Sequence, residues 1–318
     1  MPMRSIARET RREFRWIVSS RLLLALIGSA VVMAAWGALA GASSAIALVA
    51  QFEATLRLYN ENGEDISAAL AAPAGVSGDA SQQNIRNPLR YDLDQAVQAL
   101  TQTHGTGAVA STLSLSAFIL LPVVGFVVAV YLATHDTASG SIAWRRPESG
   151  AGRLAVSKSL ALAFTMVALT TATALASVVG SWITGPIVAA RAEELSSFAV
   201  PGPDIGRTVL IGVLAASAGT TAALLGLLVA TITRDRTFTV AVFVLAYFLA
   251  PMLGAADPRN MIPLTGEGVF YFVGQFRPEA VGDLQPVVGA AAQGVAALIA
   301  IIGVAVTWRV RSRLPSER

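Results

Sequence analysis

Gly152-Arg153-Leu154-Ala155-Val156-Ser157-Lys158-Ser159 comes nearest to a known chemical spacing, that of a phosphate-binding P-loop with serine at the second glycine. A P-loop follows a buried strand and opens a soluble helix, so that its backbone amides cradle phosphate. Here a polar segment precedes the stretch and an apolar run follows it, which argues against nucleotide binding. His104 and His135 fall in connections assigned below to opposite sides of a membrane, so they cannot share a metal, and no His-Glu-x-x-His pattern occurs. The absence of cysteine removes disulfides, thiolate catalysis and Cys-ligated metals together. Serines are plentiful, but the apolar runs hold no histidine or lysine to act as their base. The expectation is a chain with no catalytic residues, no cofactor and no metal of its own.

Those residues are set among six long apolar runs, Leu22–Val49, Leu113–Ala133, Ser159–Thr184, Thr208–Thr233, Thr237–Leu253 and Pro286–Trp308, whose interiors carry no Asp, Glu, Lys, Arg or His. A helix needs roughly 20 apolar residues to cross the hydrocarbon and satisfies its own backbone hydrogen bonds there. The expected fold class is an all-α membrane protein with six transmembrane helices in one domain over residues 1–318. The apolar fraction of 54% and mean hydropathy of +0.61 agree. A charge at membrane depth costs at least about 2.5–3.5 kcal/mol, so its absence from these runs disfavours a proton-coupled carrier. Sodium coupling through backbone oxygens stays open.

The charges divide by segment. Segments 1–21, 134–158, 234–236 and 309–318 hold 16 Arg or Lys against 6 Asp or Glu, whereas the remaining connections hold 7 against 14. The positive-inside rule puts both termini in the cytoplasm, as an even number of spans also requires, in a multi-pass protein of the cell membrane. The pI near 9.7 then reflects charge flanking a lipid bilayer and implies no nucleic acid. Residues 4–21 with Ala38-Leu39-Ala40 have the look of a secretory signal, but the apolar run continues to Val49 and predicts a retained span. Before it, Ile6, Phe14, Trp16, Ile17 and Val18 alternate with Arg4, Arg8, Arg11, Arg12 and Arg15, predicting an amphipathic helix on the cytoplasmic membrane surface over 1–21. An orientation signal alone would explain the arginines without the aromatics.

Three connections stand out. Residues 50–112 form a long extracytoplasmic loop with a turn at Asn62-Gly63 and a helix over Asp92–Leu100, in which Asp92 is the expected cap and Leu93, Val97 and Leu100 share a face. Its acidic residues fit a solvated loop or attraction of a cationic substrate. Residues 254–285 are too apolar for a solvated loop and are broken by Pro258, Pro263 and Pro278, predicting a re-entrant or interfacial outer segment before the sixth span. There Phe270, Tyr271, Phe272 and Phe276 are either an outer gate or interfacial anchors. Residues 134–158 form a cytoplasmic loop in which Ser141–Arg146 can make a short helix stopped by Pro147 and Gly150. It would present Trp144 beside Arg145 and Arg146, either as a docking knob or simply as a positive-inside loop. Within the spans, Gly37 and Gly41 form a small-xxx-small pair, and Thr165, Thr170, Thr171, Thr173, Ser177 and Ser181 offer hydroxyls to neighbouring helices or to a substrate path.

The arginine-rich N-terminal helix, long outer loop and first cytoplasmic loop together resemble the membrane subunits of the ABC type-2 exporter permease family, over nearly the whole chain. The loop follows the form acidic-x-x-x-Gly-Ser/Thr, then Pro, Arg and Lys, at Asp136, Gly140, Ser141, Pro147, Arg153 and Lys158. Asp136 stands where the family more often has Glu, and the Pro-to-Arg spacing is longer. The resemblance implies an ATP-driven exporter: two permease subunits, identical or different, above separate ABC ATPase subunits that carry ATP and Mg. It further implies coupling to those ATPases through the N-terminal helix and the loop, with Asp136, Gly140, Ser141, Trp144, Arg145, Arg146 and Arg153 as the coupling candidates. A secondary carrier not powered by ATP and a non-transporting membrane scaffold or sensor are the competing expectations.

Overall fold

The computed structural model describes residues 2–77, 84–140, 150–192, 195, 198, 202–249, 257–272 and 284–311. Among them the chain is helical apart from short connections and one two-residue antiparallel pairing, β1 (Val76–Ser77) with β2 (Asn84–Ile85). The helices are α1 (Pro2–Ser19), α2 (Leu22–Glu61), α3 (Ile66–Ala71), α4 (Pro88–Thr101), α5 (Gly105–Phe118), α6 (Leu120–Ala138), α7 (Ala151–Ala189), α8 (Ile205–Thr233), α9 (Arg236–Leu249), α10 (Met261–Thr265) and α11 (Pro286–Arg311). This is the architecture of an all-α, multi-pass membrane protein. Four helices, α2, α7, α8 and α11, are long and apolar enough to span, and α5 with α6 makes a fifth if the bent pair is one span. The fifth expected span, Thr237–Leu253, corresponds to α9, of which 14 residues are described, fewer than a crossing needs; residues 250–253 lie outside the described residues.

The long outer loop is corrected. Helix α2 runs 40 residues, far past Val49, and α5 begins at Gly105, so much of 50–112 is helix. The extension persists because Phe52 has somewhere to go: with Val49 it packs against Leu89, Leu93, Ala96 and Val97 of α4 and against Ala192 and Leu195. Asp92 is not the cap of α4. Asn87 is, its side chain accepting from the Arg90 amide with Pro88 at the first helical position. Asp92 instead is buried in the helix and accepts from Gln51 Nε2 at 2.9 Å and Thr55 Oγ1 at 2.6 Å, both on α2.

The break between α5 and α6, a bend of 52°, follows from Pro122. Proline has no amide to give the carbonyl four residues earlier, which here is that of Phe118. The Tyr247 hydroxyl of α9 donates to that carbonyl instead, and Phe243 stacks on Phe126 one turn away. Helix α6 then crosses α8 closely, because a Cβ on Gly125 would meet the Gly219 carbonyl oxygen at 2.5 Å and one on Gly226 would meet that of Phe126 at 2.8 Å. Gly37 likewise lies against Thr112 of α5. The α7 hydroxyls do not bridge helices as expected. Thr165, Thr170, Thr171, Thr173, Ser177 and Ser181 all donate to carbonyls three or four residues earlier in α7, the partner always within reach of a helical hydroxyl.

Candidate functional site

Helix α1 shows one face to the bundle. Thr10, Glu13 and Ile17, spaced three and four residues apart, are buried. Ile17 joins the main core with Leu26, Leu132, Leu154 and Trp308, but Glu13 is a carboxylate brought to the same depth. Its partner is Lys158 of α7, fully buried, whose Nζ lies 2.9 Å from Glu13 Oε2 and 2.8 Å from Asp136 Oδ2 at the end of α6. The third ammonium proton goes to the Leu132 carbonyl at 3.1 Å. Three donors thus meet three acceptors, which is what a desolvated ammonium requires.

Each helix has a local reason to deliver its charge. Asp136 sits in the last turn of α6, where the helix dipole disfavours a carboxylate, and Lys158 supplies the compensating cation. Gly140, at φ +68°, takes the left-handed conformation that turns the chain away just after α6. Lys158 stands two turns inside α7, because that helix starts at Ala151. The expected 134–158 loop is therefore shorter than predicted: residues 134–138 and 151–158 are helix, held by packing of Leu154 and Ala155 in the core. The same fact disposes of the P-loop likeness, since Gly152–Ser159 is helical throughout.

The end of α6 is gripped from both sides. Trp16 of α1 stacks on His135 at 4.2 Å between ring centroids, while Arg236 at the head of α9 donates from Nε to Thr134 Oγ1 at 3.0 Å and lies over the Tyr131 ring at 4.5 Å. Four helices, α1, α6, α7 and α9, therefore meet at the end of the bundle where the basic segments gather. Of the coupling candidates, Asp136 is inside this cluster, Gly140 is exposed beside it, and Arg153 is on the exposed face of α7. Ser141, Trp144, Arg145 and Arg146 lie outside the described residues. Sequence reasoning missed Glu13, Arg236 and Trp16 as members of the site. For Glu13 a signal existed, an acidic residue in register with Thr10 and Ile17 on an otherwise arginine-rich helix.

At the opposite end, residues 257–272 fold back onto the bundle. Met261 O and Thr265 Oγ1 accept from Gln293 Nε2 of α11 at 3.2 and 3.0 Å. Gly268, at φ +70°, makes the turn, and Arg207 at the start of α8 donates to the carbonyls of Val269 (2.9 Å), Gly268 (3.2 Å) and Phe270 (3.4 Å). The Tyr271 amide donates to Ser114 Oγ of α5 at 2.9 Å, and the Arg207 guanidinium lies 5.9 Å from the Tyr271 ring centre. Burial pushes the Tyr271 phenol above its ordinary pKa. Phe270 packs with Leu113 and Ile211 and contacts Phe272 at 5.5 Å between centroids; Phe276 lies outside the described residues. Arg259 pairs with Asp257 through both carboxylate oxygens and donates to the Tyr247 carbonyl at 2.6 Å, tying this segment to α9. A cleft of about 640 Å³ opens beside the fastening, lined by Asp94, Gln98, Asp204, Arg207 and Tyr271 among others.

Among the described residues no group of His, Cys, Asp and Glu is arranged to hold a metal ion. No protein-family model, curated protein or solved structure matches this chain.

Proposed function

We propose that this chain is the membrane-spanning permease subunit of an ATP-driven ABC exporter, lying in the cell membrane with six spans and both termini in the cytoplasm. The observation that carries the reading is the buried Glu13–Lys158–Asp136 cluster. It joins the N-terminal helix, the end of α6 and the head of α7, and two of its members are positions at which the sequence resembles the type-2 exporter permeases. A motor outside the membrane needs a rigid connection to the spans, because an effector shifts only an equilibrium between states to which it binds differently. A multivalent buried ion cluster between three helices is such a connection. In this reading separate ATPase subunits hold ATP and Mg and dock against Gly140 and the segment after it, a second permease subunit completes the path, and the folded-back segment with Phe270 and Tyr271 is the outer gate.

Two experiments test it. With no native cysteine, single reporters at Ser77 and Ser139 are clean: an impermeant thiol reagent applied to intact cells labels Ser77→Cys alone, and equal labelling of Ser139→Cys overturns the orientation. Reconstitution with the co-purifying ATPase gives flux that requires ATP hydrolysis. Flux driven by an ion gradient without an ATPase makes the chain a secondary carrier, and no flux under either condition makes it a scaffold or sensor.

A further inference from the structure

Helix α1 has a second face. Arg8, Arg11, Arg12 and Arg15 recur at intervals of three, one and three residues, so they form one stripe, and all four are exposed. At 100° per residue this stripe points almost directly away from the seam of Thr10, Glu13 and Ile17 that packs on the bundle. Lys158 holds the Glu13 carboxylate on the inner face, away from the stripe. Only the turn at Ser20 and Arg21 separates α1 from α2, whose first turns expose Leu24 and Ile27. Arg15 therefore stands about 10 Å of helix length from the first apolar residue of a span, roughly a Debye length at moderate salt.

We propose that this arginine stripe is a binding surface for anionic phospholipid headgroups. A guanidinium fork matches phosphate oxygens bidentately, and a basic cluster just before a span lies within the field of an anionic leaflet. Orientation by the positive-inside rule counts charges and does not require them on one face, whereas headgroup binding does. The surface stands independently of the permease reading, but it has a consequence for the buried cluster: one rigid helix carries the headgroup contacts on one side and Glu13 on the other, so lipid binding holds α1 in the position the ion cluster needs.

The test uses the full chain in nanodiscs of about one part phosphatidylglycerol to three parts phosphatidylcholine, with the lipid retained after extraction into mild detergent measured by mass spectrometry. The wild type retains phosphatidylglycerol over phosphatidylcholine by about tenfold relative to the input ratio. The variant with Arg8→Gln, Arg11→Gln, Arg12→Gln and Arg15→Gln falls toward parity, while the matching Arg→Lys variant keeps most of the preference. Raising salt to about 0.5 M collapses the preference of the unmutated protein, which keeps the test decisive if the glutamine variant fails to insert. Equal retention of the two lipids by the wild type, or an undiminished preference in the inserted glutamine variant, overturns the proposal. So does loss of a co-purifying protein subunit from the glutamine variant with lipid preference intact, which would make the stripe a protein-docking face.

Discussion

At the basic end of the bundle Lys158 is fully buried between two carboxylates, whereas at the other end Arg207 is partly exposed and spends its donors on three backbone carbonyls. The first arrangement joins helices to helices, and each of its charges has been taken out of water. Losing Lys158 removes the buried cation that both carboxylates face in a site shut off from solvent, so the cluster depends on it as a unit. The second arrangement fastens a non-helical segment, and water can replace each of its bonds at modest cost. Charge buried between helices suits a joint that must move as one piece; side chain-to-backbone bonds at a rim suit a segment that detaches.

The contrast breaks most sharply at Lys158. Lys158→Met leaves Glu13 facing Asp136 and is expected to cost about 3–5 kcal/mol, read as a large fall in thermal stability and early proteolytic release of α1. Replacing the whole cluster, with Glu13→Leu and Asp136→Leu added, is expected to recover much of that loss, since matched apolar groups carry no desolvation penalty. If the triple variant is as unstable as the single one, the cluster is not acting as an ionic unit. Next comes Arg207→Gln, expected to lose about 1–3 kcal/mol locally. Hydrogen exchange should quicken at residues 268–271 and stay unchanged in α7, and a global loss of protection would erase the distinction between the two ends.

Tyr247→Phe removes the hydroxyl that donates to the Phe118 carbonyl and should cost about 1–2 kcal/mol. Adding Pro122→Ala restores the missing helix amide and should return part of the stability, which would identify the hydroxyl as the substitute for that amide. The smallest effect is expected from Ser114→Ala, about 1 kcal/mol or less, seen as faster exchange of the Tyr271 amide alone.

The sequence by itself determined where helices lie in apolar surroundings and which ends carry the basic residues, because both are properties of local composition. Leu22, Pro286 and the alternation of arginines with apolar residues before the first span were legible on those grounds. Their limits were not: α2 continues past Val49 because α4 covers Phe52, and α7 begins before Lys158 because Leu154 and Ala155 have a core to enter. Asp136 and Lys158 were legible as positions in a motif, but their contact with Glu13, 145 residues from Lys158 in the chain, was not. Tertiary structure alone decided that pairing, since a buried charge is tolerable only where a partner from another helix is already in place, and no local pattern records which partner that is. The same holds for Arg207 and the carbonyls of residues 268–270 and for Tyr247 and the carbonyl freed by Pro122. A backbone acceptor without its own donor is visible in one segment; the side chain that satisfies it is chosen by how the helices pack.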